Sequence, residues 1–118
     1  MTLKADDFTF SESLSQQQVL EWLKKRIGSI PTTKELLEFG KTLYKASKYK
    51  KAAIILSLYI DRSDCEVIGE ELLGYALIHC GDKMEALQIF RRVVQDPKFE
   101  ADWQIVVELQ IELEGQGL

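Results

Sequence analysis

The chain matches itself at an offset of 34 residues. Gly40 returns as Gly74, Leu43 as Leu77, Ala52 as Ala86, and Leu56 as the larger Phe90. The spacing is the same in every pair, so no residue is gained or lost between the two copies. A period of this size belongs to stacked helical hairpins, in which each unit buries against its neighbour an apolar face it could not bury alone. The match therefore predicts an all-α chain whose work is to hold another protein, and it leaves that partner's identity open.

The bulk properties agree with one such domain. A chain of 118 residues is long enough to bury a core without covalent staples. Its composition, 46% hydrophobic and 29% charged, is that of an ordinary globular protein and argues against disorder. A net charge of −4 makes nucleic acid an unfavourable partner, because no positive excess offsets phosphate repulsion. The longest apolar run, Ala52 to Leu56, falls far short of the ~20 residues that span a bilayer. Met1 to Phe10 carries Lys4, Asp6 and Asp7 and has no apolar stretch of a secretory signal, so the expected compartment is the cytoplasm. Cys65 and Cys80 could pair in principle, and in that compartment they are read as two reduced thiols. Neither stands in a metal-ligand spacing, and His79 is the single histidine, so no metal is expected.

Along the chain, residues 1–14 show no period and read as a mobile N-terminal arm. The remainder, 15–118, reads as one domain of about six helices. The first starts at Ser15, with Gln18 completing a capping box, and ends at Gly28. A second box, Thr32 with Glu35, opens a helix to about Ala46, and the very short link that follows forces the next helix to fold back. That helix runs from Tyr49 to Tyr59 or Ile60. Ser63 with Glu66 and Asp82 with Glu85 are expected to cap the next two helices, which Gly81 separates. A last helix is expected over about 101–113. No segment reads as a strand.

The repeated residues resemble the tetratricopeptide repeat. Residues 33–66 supply Gly40, Leu43, Ser47, Tyr49, Ala52 and Leu56 at the family's pattern positions. Residues 67–100 supply Gly74, Leu77, Gly81, Lys83, Ala86 and Phe90. The small residues let facing helices approach closely, and the large ones fill the space around them. Position four is Leu36 in one copy and Glu70 in the other, and Lys83 stands where an aromatic is expected, with Met84 beside it to fill the volume. The resemblance implies a stack of antiparallel hairpins in a right-handed superhelical arc with a concave groove. Residues 15–28 and 101–114 would cap its two ends.

The resemblance also assigns a groove. In the first copy its positions fall on Lys34, Leu37, Lys41, Tyr44 and Lys45. In the second they fall on Ile68, Glu71, Tyr75, Ile78 and His79, and the terminal helix adds Asp102, Ile105 and Leu109. Leu37, Tyr44, Tyr75, Ile78, Ile105 and Leu109 make a mostly apolar lining suited to an amphipathic helix of a partner protein. The alternative is that Tyr44, Tyr75 and Ile78 pack against neighbouring helices. The Lys45, Lys48, Lys50, Lys51 run is either a solvated helix end or a rim that steers an acidic partner.

No catalytic constellation is present: no nucleophile with an adjacent base, no paired carboxylates in a cleft pattern, no phosphate-binding glycine loop. Neither an enzymatic role nor a cofactor is expected. Size, acidity and groove are similar to those of the small tetratricopeptide chaperones of bacterial type III secretion, which hold needle or translocator subunits before export. The alternatives are an adaptor within a larger repeat-protein complex and a self-assembling subunit, so homo- and heterodimers both stay open.

Overall fold

The computed structural model describes residues 3–95 together with Glu108, Leu109, Ile111 and Glu112. Five α-helices follow one another: α1 Gln16–Ile27, α2 Thr33–Lys45, α3 Tyr49–Ile60, α4 Val67–His79 and α5 Lys83–Val93. A single 3-10 turn, Ala5–Asp7, precedes them, and no strand occurs among the described residues. The architecture is all-α, as the period predicts. The sixth helix expected over 101–113 lies mostly outside the described residues, of which Glu108, Leu109, Ile111 and Glu112 are helical.

The first two helices begin where the capping boxes place them. Ser15 Oγ accepts from the Gln18 N–H at 3.2 Å, and the Gln18 side chain accepts from the Ser15 N–H at 2.9 Å. Thr32 and Glu35 repeat the arrangement at 3.1 and 2.9 Å. Both capping residues have the extended backbone (ψ 164°) that turns a side-chain oxygen toward the first free N–H groups. Gly28 ends α1 in the left-handed region at φ 83°.

The other two expected boxes do not form. After α3 a turn closed by the Cys65 N–H on the Arg62 carbonyl carries the chain past Ser63, and Glu66 becomes the residue that precedes α4. Its N–H donates to the Tyr59 hydroxyl at 2.5 Å, so a phenol on α3 does the work assigned to Ser63. Asp82 has ψ 66°, far from the extended value, and its side chain caps nothing. The Asp82 side chain beside it, then burial, raise the Glu85 carboxyl above its ordinary range.

The 34-residue period is also a period of the backbone. Helices α2 and α4 are each 13 residues long and start at Thr33 and Val67. After α2 the Ser47 N–H returns to the Tyr44 carbonyl and the Lys48 N–H to the Leu43 carbonyl, both at 2.9 Å. After α4 the Gly81 N–H returns to Ile78 at 3.0 Å and the Asp82 N–H to Leu77 at 2.9 Å. This is the Schellman closure, and it needs one left-handed residue. Gly81 takes that place at φ 83° and Ser47 at φ 62°.

Helix α3 packs on α2, on α4 and on α1, and α5 packs on α4. Leu36, Leu43, Ala52, Leu56, Leu73, Ala76, Ala86 and Phe90 are buried along these contacts. The two hairpins close over their glycines: a Cβ added to Gly40 would stand 2.5 Å from Leu56 Cδ2, and one added to Gly74 would stand 2.6 Å from Phe90 Cζ. Glu70 on α4 faces Arg92 on α5 at 3.2 Å, so the charged residue at position four is paired across its own hairpin. Lys83 pairs with Glu112, which accounts for a lysine at the aromatic position. Met84 is exposed and does not fill that volume.

Residues 3–14, read from the sequence as a mobile arm, are packed. Leu3, Phe8 and Phe10 are buried, and the Phe8 ring meets Phe39 of α2 edge-on at 5.3 Å. Phe10 meets Trp22 of α1 edge-on at 5.3 Å, and Lys51 Nζ donates to the Phe8 carbonyl at 2.6 Å. Asp7 lies 3.7 Å from Arg26 and Asp6 3.1 Å from Lys48. Three apolar anchors on irregular backbone are enough to dock a segment without producing a helical or strand period.

Candidate functional site

The predicted groove residues occupy the sides of α2 and α4 that the core leaves partly open. On α2, alternate turns divide cleanly: Leu36 and Leu43 are fully buried, whereas Leu37 and Tyr44 are half-buried. On α4, Leu73 and Leu77 are buried while Tyr75 and Ile78 are half-buried and Ile68 is exposed. Lys34 and Lys45 are exposed at the two ends of α2, and Lys41 sits between them, 3.7 Å from Glu38. Since α2 touches α4, these side chains fall on neighbouring helices.

The structure brings Tyr44 and His79 together. Their rings meet edge-on at 5.9 Å, and both contact Tyr49 at the start of α3. Tyr44 lies edge-on to Tyr49 at 5.3 Å, and the His79 ring stacks on Tyr49 at 4.0 Å with the planes 8° apart. Burial, then the neighbouring Tyr49 and Tyr75 phenols, push the Tyr44 hydroxyl above its ordinary pKa, so it stays a neutral donor. Tyr75 packs its ring edge-on against Phe90 at 5.2 Å.

Two assigned residues fall elsewhere. Leu109 is buried at 4% exposure and belongs to the core, and Ile105 lies outside the described residues. Tyr49, read as a scaffold residue, is the centre of the aromatic cluster. The signal for it was its position directly after the three-residue link between α2 and α3, which sets a ring at the start of α3 beside the last turn of α2.

Two surface clefts lie away from the α2/α4 side, and a third adjoins it at His79. One, of about 450 Å³, is walled by the 3-10 turn and α1, with Trp22 and Arg26. A second, of about 340 Å³, runs between α3 and the start of α5 past Ile54 and Cys80. The third, of about 460 Å³, sits at the α2–α3 corner with Lys48, Tyr49, Lys50, Lys51 and His79. Cys65 and Cys80 are free, and burial raises both thiols, which keeps them protonated and weakly nucleophilic near neutral pH. Among the described residues no group of three His, Cys, Asp or Glu side chains could hold a metal ion, and no helix is long and apolar enough to cross a membrane.

No protein-family model, curated protein or solved structure matches this chain.

Proposed function

We propose that this chain is a non-enzymatic protein-binding module of tetratricopeptide type, working in the cytoplasm. Its hairpins would form a right-handed arc, with the helical residues Glu108, Leu109, Ile111 and Glu112 belonging to the part that closes one end. The side of α2 and α4 bearing Leu37, Tyr44, Tyr75 and Ile78 would receive an amphipathic helix of a partner protein. The observation that carries this is the division of burial along two helices in one register. Leu36, Leu43, Leu73 and Leu77 satisfy the fold, while Leu37, Tyr44, Tyr75 and Ile78 keep part of their surface in water. Half-covered aromatic and aliphatic side chains bordered by Lys34, Lys41 and Lys45 of α2 are the composition of a binding surface rather than of a core.

The double variant Tyr44→Ala with Tyr75→Ala tests it. Capture of the partner from cells that express the chain should be lost while the variant keeps its helical circular dichroism and a cooperative melt. If the double variant unfolds, or captures the partner as the natural chain does, the surface is structural and the proposal fails. A captured needle or translocator subunit would assign the narrower role of a type III secretion chaperone, and a subunit of a stable complex would assign an adaptor.

A further inference from the structure

The lysines at the α2–α3 corner have no use in the groove described above, and two of them are fixed by the N-terminal segment. Lys51 donates to the Phe8 carbonyl at 2.6 Å and lies 5.5 Å from the centre of the Phe10 ring. A carbonyl partner leaves its full charge uncompensated. Lys48 meets Asp6 at 3.1 Å, but Asp6 is 97% exposed, so that pair sits in water and is easily exchanged for another anion. Lys50 is exposed, and its charge acts on the Cys80 thiol in the same cleft, a neutral group that leaves it uncompensated. All three line one cleft of about 460 Å³, against the single carboxylate of Glu12. A local positive excess of this kind runs against the chain's net charge of −4.

The remaining wall can donate hydrogen bonds. Tyr49 and Ser47 both line the cleft, the Tyr49 hydroxyl donating to Ser47 Oγ at 3.4 Å so that the Ser47 O–H is the donor left for a ligand, and His79 stacked on Tyr49 closes its far side. Ammonium groups held in place lose less freedom when a ligand arrives, which strengthens what would otherwise be a weak surface contact.

We propose that this cleft binds an oxyanion cluster, carboxylate or phosphate, on an acidic segment of the partner protein. Lys50 and Lys51 supply the charge, Lys48 joins them by exchanging Asp6 for the ligand, and the Ser47 hydroxyl, which accepts from Tyr49, donates. Lys50 and His79 on its wall are exposed, so the cleft admits side chains reaching in from another surface. Three lysines opposed by Glu12 are too few to drive binding of a nucleic-acid backbone through counterion release. The inference rests on the protein-binding reading only in taking the oxyanions to be part of a protein. Its test uses no groove ligand, so the two can fail separately.

The test is fluorescence anisotropy of the full chain with three labelled peptides of equal length. One is deca-glutamate, one alternates phosphoserine with glycine, and one alternates serine with glycine. The first two should bind and the third should not. Lys50→Glu should weaken that binding by about fivefold or more, and Arg91→Glu, the same charge change on exposed α5 surface, by less than about twofold. Tighter binding of the glutamate peptide assigns carboxylates, and tighter binding of the phosphorylated peptide assigns phosphates. Absence of binding by both acidic peptides, or equal weakening by Lys50→Glu and Arg91→Glu, overturns the proposal.

Discussion

Gly74 lies directly against the Phe90 ring, close enough that a Cβ on the glycine would stand 2.6 Å from Cζ. The same contact recurs 34 residues earlier between Gly40 and Leu56, at 2.5 Å from Cδ2. These pairs hold the helices of each hairpin together, and they rank the cost of adding a methyl group. A third site, Gly69, would place its Cβ 2.0 Å from the Tyr59 ring. Leu56 can swing its terminal methyls aside, whereas the Phe90 and Tyr59 rings have fewer alternatives. Overpacking costs ~1–3 kcal/mol, and alanine returns up to about 1 kcal/mol of helix propensity. Urea unfolding should therefore order the variants with Gly69→Ala least stable, Gly74→Ala next and Gly40→Ala nearest to the natural chain. An inverted order would mean that the contacts do not limit helix approach.

Ser47 carries the left-handed backbone that Gly81 takes in the second hairpin. A side chain in that region costs about 1 kcal/mol or more, and the corner hydrogen bonds are the same in both copies. Ser47→Gly should raise stability by ~0.5–1 kcal/mol, and Gly81→Ser should lower it by a similar amount. Opposite shifts in the midpoint of thermal unfolding check both together.

Phe8 decides whether residues 3–14 are an appendage or part of the fold. Its ring is 1% exposed, between Phe39 and Trp22. Truncating a buried phenylalanine costs about 3–5 kcal/mol, whereas truncating one on a mobile arm costs nothing measurable. Phe8→Ala should lower the urea midpoint strongly, and an unchanged midpoint would return the segment to the status of an arm.

Alkali should weaken the fold. Burial raises the Tyr44 and Tyr59 phenols above 10.0 and the Cys65 and Cys80 thiols above 9.0. The folded state then keeps protons that the unfolded chain releases. Their stabilising contribution is fully present below pH 9.0, and it is lost as pH rises through the unfolded and then the folded values. Stability measured by urea unfolding should fall progressively above about pH 9. Tyr59→Phe should make that fall shallower while lowering stability at neutral pH by about 1–2 kcal/mol, since the Glu66 N–H loses its acceptor.

Much of the scaffold was legible because the fold repeats its steric demands. Gly40 with Gly74 and Ala52 with Ala86 mark helix contacts where only small residues fit, and their spacing carried the 34-residue period of the two hairpins. Capping boxes were legible where the chain enters a helix from extended backbone, as at Ser15 and Thr32. They misled at Ser63, where a phenol from another helix supplies the acceptor, and at Asp82, where the preceding corner dictates ψ. Such information is tertiary, and no local spacing encodes it. The same holds for Phe8 and Phe10, whose anchoring partners lie on α1 and α2. In the candidate site, Tyr44 and His79 were both read as groove residues and their rings meet at 5.9 Å, but the ring that joins them, Tyr49, was assigned to the scaffold. Leu109 was drawn into the groove by register, although its surroundings bury it.

The central claim, that the α2/α4 side receives a partner, is tested most directly by position-specific photocrosslinking in cells that express the chain. A photoreactive phenylalanine analogue at Ile78, half-buried on that side, should give a discrete adduct with a partner protein. The same analogue at Gln88, exposed on α5, should give none. Adducts of equal yield from both positions, or from Gln88 alone, would contradict it.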